Sequence, residues 1–130
     1  MKNKQLEKEE CKIFATWLRL KNIKFAHIAN ERQAPVWVMA ELNKMGVSKG
    51  FPDYIVYINK KQSIENRALL LFIEMKKNKE VLKNGKLSTV DLASPEQHDW
   101  IECLGCVCDV EAHICYGSDK AIEIINSLLK

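Results

Sequence analysis

The sequence predicts a single mixed α/β domain, and three observations carry that expectation. An amphipathic stripe opens the chain, with Leu6, Glu10, Ile13, Phe14, Trp17 and Leu18 at i, i+3, i+4 spacing. Two apolar runs, Tyr54–Ile58 and Leu69–Met75, lie in the middle, separated by a polar ten-residue connection. Ser94-Pro95-Glu96-Gln97 then gives a helix start, with serine as N-cap, proline at N1 and glutamine at N3. Of the 130 residues 47% are apolar, enough for one core.

Taken in order, the first helix is expected from Leu6 to Lys21, with Asn22 as its stop. Phe25 to Ala29 is short and alternating, which predicts a strand. Pro35 separates it from a second helix, Val36 to Met45, which Gly46 can end. The two central strands follow. Lys76 to Ala93 is lysine-rich without a clear period and is expected to be a mobile loop. The capped helix runs to about Leu104, with Trp100 one turn beyond Gln97 as a core residue. Val107 to Val110 reads as a strand and Ala112 to Tyr116 as a further neighbour. Ser118 or Asp119 caps a last helix to Leu129, with Ala121, Ile122, Ile125 and Leu128 facing inward. The order is α-β-(α)-β-β-α-β-(β)-α, one domain over 1–130, a central mixed sheet flanked by helices.

No segment approaches the roughly 20 consecutive apolar residues needed to span a bilayer. The opening MKNKQLEKEECK lacks the apolar core of a signal peptide, so a cytoplasmic protein is expected. A net charge of +3 does not by itself indicate nucleic-acid binding. Its distribution says more. Lys76, Lys77, Lys79, Lys83 and Lys86 crowd one segment, and Lys44 and Lys49 approach it from the other side. The five cysteines, at 11, 103, 106, 108 and 115, form an odd set in a cytoplasmic chain, which argues against a disulfide framework. Cys103-x-x-Cys106 has the spacing of a thiolate zinc pair, but its surroundings read as a helix end, a glycine stop at Gly105 and a strand with Cys106 and Cys108 on one face. Free thiols are the expectation.

The central strands carry the chemistry. If they pair antiparallel with Ile58 opposite Leu69, then Asp53 falls opposite Glu74. Glu74 and Lys76, two apart in a strand, leave the same face. Two carboxylates and an ammonium thus gather at one end of an apolar hairpin, inside a basic rim that suits a polyanionic substrate. Singly, each has a plainer explanation: Asp53 can begin a strand, Glu74 and Lys76 can be a strand end, and Gln97 can complete the capping box with Ser94.

Jointly, they form a pattern. Gly50-Phe51-Pro52-Asp53, an apolar strand, Phe72-Ile73-Glu74-Met75-Lys76, then Ser94-Pro95-Glu96-Gln97 and Trp100 resemble the VRR-NUC (virus-type replication-repair nuclease) family of the PD-(D/E)XK nuclease superfamily. His27 to Glu31 and the Asn43 to Gly50 stretch are similar to small stand-alone members found in phages. The resemblance spans roughly Glu7 to the final helix and implies a restriction-endonuclease-like core. By it, Asp53 and Glu74 match the metal-binding acids, Lys76 the catalytic lysine, and Gln97 the glutamine of the following helix. The main-chain carbonyl of Met75 would be a further metal ligand. Glu7 best fits the first-helix glutamate, with Glu9 and Glu10 close by.

The implied activity is Mg²⁺-dependent hydrolysis of DNA phosphodiester bonds, with Mn²⁺ as a substitute, by a structure-selective endonuclease in replication, recombination or repair. Mg²⁺ suits an oxygen-only ligand set, and a divalent cation can activate water, neutralise phosphate oxygens and stabilise the leaving alkoxide. Lys76 would orient the attacking water and offset developing charge. Asn30, Lys49, Lys77 and Lys79 are candidate DNA contacts. Stand-alone members resemble Holliday-junction resolvases, which implies branched DNA, a homodimer and the cytoplasm of a bacterial or phage-infected cell. Val36, Trp37, Val38 and Met39 are a candidate interface, with core packing as the other explanation. The rivals are a non-catalytic nucleic-acid-binding module and a nuclease with another nucleic-acid target.

Overall fold

The computed structural model describes residues 2–28 and 35–130, with side chains from Leu6 onward. Its elements run α1 (Lys2–Leu20), β1 (Lys24–His27), α2 (Val36–Lys44), β2 (Tyr54–Ile58), β3 (Leu69–Lys76), α3 (Pro95–Gly105), β4 (Val110–Tyr116) and α4 (Ser118–Asn126). The four strands form one sheet in the order β1-β2-β3-β4. β1, β2 and β3 are antiparallel neighbours, while β4 runs parallel to β3 after the α3 crossover. The expected mixed α/β architecture is therefore present. Ile58 does pair with Leu69.

One sheet face builds the core. Leu69, Leu71, Ile73 and Met75 point there from β3, and Tyr54, Val56 and Ile58 from β2. They meet Phe14 and Leu18 of α1 and Ala121 and Ile125 of α4. A fully buried Leu, Ile or Phe side chain contributes roughly 1.5–3 kcal/mol. Within the α1 stripe Phe14 and Leu18 are fully buried, but Leu6 and Ile13 stay exposed. α1 packs through its second half, where the sheet and α4 lie beneath it.

Several expectations need correction. The chain from Cys106 to Asp109 is a turn, not a strand; Asp109 has a φ of 61° and its carboxylate meets Arg67. Cys106 and Cys108 therefore do not share a strand face, and the last two expected strands are one, β4. The N-cap of α4 is Gly117, with a φ of 97°, rather than Ser118 or Asp119. That helix stops at Asn126, because Leu128 and Leu129 turn back to pair with Ile64 and Ser63. The lysine-rich segment after β3 carries a small hairpin, with Val81 bridged to Leu87. In α2 no residue is buried, and Val36 and Trp37 are 87% and 72% exposed, so these two are not core.

Candidate active site

Each residue of the Gly50–Asp53 stretch has a physical task. Gly50 has a φ of 86°, and a Cβ there would stand 2.7 Å from the main-chain carbon of Glu96. Only glycine lets the loop press this closely on the start of α3. Phe51 meets Trp100 of α3 and Phe72 of β3 edge-on, with ring centroids 4.8 and 5.8 Å apart. Pro52 is fully buried. Asp53 then accepts a hydrogen bond at its Oδ2 from the Met75 amide, at 2.9 Å. Its carboxylate is thereby held against the backbone beside Glu74. From the other side, the Ile28 amide donates to the Asp53 carbonyl.

Glu74 is 1% exposed and lies on the sheet face toward α3, not in the apolar core. Gln97 of α3 reaches it: the Gln97 Nε2 donates to Glu74 Oε1. The same side chain accepts from the Ser94 amide through Oε1 at 2.8 Å, and Ser94 Oγ accepts from the Gln97 amide at 3.2 Å. Because a backbone N–H can only donate, Oε1 must face Ser94 and Nε2 must face Glu74. The capping box thus sets the polarity of the amide that meets the carboxylate. The capping box expected for Ser94 and Gln97 is present, and the same side chain also reaches Glu74.

Lys76 is 7% exposed, and its carbonyl accepts from the Gly117 amide at 2.9 Å. Lys77 is also buried and pairs with Glu80 at 3.0 Å, so it does not face solvent as a freely presented contact would. Lys79 lies over the Tyr116 ring, 4.5 Å from its centroid, and Lys49 sits at the surface 3.6 Å from Glu96. Asn30 lies outside the described residues.

The first-helix glutamates separate by their partners. Glu10 accepts from Ser118 N at 2.7 Å and from Asn78 Nδ2 at 2.8 Å, which commits its carboxylate to the start of α4. Glu9 pairs with Lys12 on the surface. Glu7 acts on the half-buried Cys11, whose thiol is pushed up to about 11 chiefly by burial, with the charges of Asp53, Glu7 and Glu74 adding to it. The charges of these three carboxylates act together on one thiol. Sequence reading passed over Glu10 as a cap and Cys11 as a neighbour of this site, since both depend on contacts between distant segments.

Asp53 and Glu74 offer hard oxygen donors, and one or two protein carboxylates completed by water and phosphate oxygens is the usual Mg²⁺ set. The donor chemistry fits such an ion. Among the described residues no group of three or more His, Cys, Asp or Glu side chains is close enough to hold one. Cys103, Cys106 and Cys108 are exposed free thiols. His98 and His113 pair with Asp91 and Glu111 at 2.6 and 3.0 Å. No described helix is long and apolar enough to cross a membrane.

No protein-family model matches the sequence, and no curated protein matches it. Among solved structures, the chain is similar to one described as a "VRR_NUC domain protein", with a TM-score of 0.64 and 24% identity. The likeness covers 94% of this chain and 86% of that one. The four-stranded mixed sheet with its flanking helices shares the fold of that VRR_NUC domain protein.

Proposed function

We propose that this chain is a metal-dependent endonuclease that hydrolyses DNA phosphodiester bonds, with branched DNA such as a four-way junction as its substrate. The observation that carries the reading is the buried Glu74 carboxylate, clamped by Gln97 beside an Asp53 fixed on the Met75 amide. Burying a carboxylate is costly, so its retention at the end of an otherwise apolar hairpin favours use. Asp53 and Glu74 would hold Mg²⁺ or Mn²⁺, with the Met75 carbonyl and Glu7 as additional ligands. Such an ion, when bound, supplies Lewis-acid stabilisation and an activated water.

The side chains do the rest. Lys76 orients the attacking water and offsets charge building on the phosphate. It acts by position and charge rather than as a base. Gln97 keeps Glu74 from turning away. Lys49, Lys79 and Asn30 contact the DNA backbone, as does Lys77 once it leaves Glu80. A resolvase-like cut on two strands calls for two sites, and the exposed Val36 and Trp37 of α2 offer an apolar surface for a second copy in a cytoplasmic homodimer.

The purified protein, incubated with four-way junction, flap, linear duplex and RNA substrates in Mg²⁺, Mn²⁺ or EDTA, tests this. Cleavage of branched DNA that EDTA abolishes, and that Asp53→Asn and Lys76→Ala variants lose, is the expected result. Cleavage that survives EDTA, or variants with full activity, would sink the mechanism. Binding without cleavage under every metal would make the chain a nucleic-acid-binding module instead.

A further inference from the structure

An opening borders the groups assigned to hydrolysis without being used by them. A cleft of about 620 Å³ lies between α2, the loop before Phe51 and the chain leading into α3. Lys76 and Gln97 line it, so it is continuous with the Glu74 side of the carboxylate pair. Met39, Val47 and Leu92 give it apolar walls, and Asn43 adds an amide. Val47 and Leu92 are each 39% exposed, an aliphatic surface left open toward solvent. Its volume falls in the range, roughly 300–1,000 Å³, of pockets that enclose a small organic molecule.

A nucleobase is the occupant this combination fits. It presents two apolar faces to aliphatic walls and a polar edge to an amide such as Asn43. The cationic Lys76 at the cleft attracts the phosphate that carries it. A base inside a duplex is stacked on both sides and cannot offer its faces to Met39, Val47 and Leu92. The occupant must therefore be unpaired or extruded.

We infer that this cleft receives the base of an unpaired nucleotide adjoining the scissile phosphate, and that Met39, Val47 and Leu92 select DNA containing one. The inference rests on the nuclease reading above and narrows its substrate class to DNA with an unstacked nucleotide at the cut.

The test is an abasic scan. Branched DNA substrates, each lacking one base at a position flanking the cut, are cleaved under single-turnover conditions with Mg²⁺ by the wild type and by Val47→Trp. Val47 lies in an exposed loop, so the indole fills the cleft without disturbing the core. One abasic position is expected to slow the wild type about tenfold, the scale of one lost apolar contact. In Val47→Trp the intact substrate is slowed similarly, and the difference between intact and abasic DNA disappears. Equal wild-type rates at every scanned position overturn the inference while leaving the nuclease reading intact, as does a Val47→Trp variant that keeps both the full rate and the abasic difference. The same substrates are titrated in EDTA by fluorescence anisotropy. Abasic-sensitive binding without cleavage under any metal keeps the cleft and removes the nuclease reading, and insensitive binding without cleavage removes both.

Discussion

Gln97 joins Glu74 to the first turn of α3 through a single amide, its Nε2 on the carboxylate and its Oε1 on the Ser94 amide. Helix start and candidate site therefore share one side chain, and they can be separated by substitution.

Gln97→Glu keeps the capping box, since glutamate serves equally well at N3, but sets a second carboxylate against the buried Glu74. A loss of roughly 1–3 kcal/mol of stability is expected from the lost donor and the like charges. DNA cleavage should fall roughly 100-fold, the scale of losing one preorganised donor. Ser94→Ala does the reverse, removing an N-cap worth about 1 kcal/mol while leaving the Gln97 amide on Glu74. Urea unfolding and single-turnover cleavage of both variants check this. A cleavage loss in Ser94→Ala as large as in Gln97→Glu would mean that the cap, not the contact, matters.

Gly50→Ala tests how closely the loop and α3 must approach. The new Cβ would stand 2.7 Å from Glu96 backbone, at a φ of 86°. Strain and displacement together should cost roughly 2–4 kcal/mol. Gly46 and Gly85 have similar φ values but open space around them. Alanine there should cost only about 1–2 kcal/mol. Equal losses at all three in denaturant melts would show that the close approach contributes nothing.

How much of this was legible in the sequence depended on the distance between partners. The β2–β3 register could be read because apolar alternation fixes which residues face the core, and a one-residue slip would turn Leu69, Leu71 and Ile73 outward. The capping box was legible because its partners lie three residues apart. The start of α4 was not. Ser118 and Asp119 look like local caps, yet the acceptor for Ser118 N comes from Glu10, more than a hundred residues upstream. The turn before β4 was obscured in the same way, since Asp109 is matched by Arg67 from the β2–β3 connection. Within the site, Asp53 opposite Glu74 followed from strand geometry, whereas the fixing of Asp53 by the Met75 amide needed coordinates.

Glu10 should therefore matter more to stability than its place among three glutamates suggests. Its carboxylate meets the positive end of α4 and also accepts from Asn78, just past β3. Glu10→Ala should cost about 1–2 kcal/mol, and Glu10→Gln less, because the amide keeps one acceptor. Glu9→Ala, which breaks an exposed pair with Lys12 at 3.4 Å, should change stability by less than about 0.5 kcal/mol. Thermal melts of the three variants rank them. Glu9→Ala falling as far as Glu10→Ala would contradict the capping role.

The thiols give a prediction in both reactivity and pH dependence. Burial pushes Cys115 up to about 12 and, with nearby carboxylates, Cys11 up to about 11, whereas Cys103, Cys106 and Cys108 are exposed. The thiolate is the nucleophile, so iodoacetamide at pH 8 should label those three quickly and the other two slowly, as peptide mass spectrometry would show. For stability, the folded protein binds the Cys115 proton more tightly than the unfolded chain, whose thiol has its ordinary value of 9.0. The stabilisation is therefore complete below pH 9 and is lost as pH rises toward 12, by roughly 1 kcal/mol per pH unit from Cys115. Cys115→Ala should be less stable at neutral pH, because of the cavity, yet show a shallower decline above pH 9. Cys115 labelling as fast as Cys103 in the native protein, or an unchanged alkaline slope in Cys115→Ala, would show that its burial does not hold the proton.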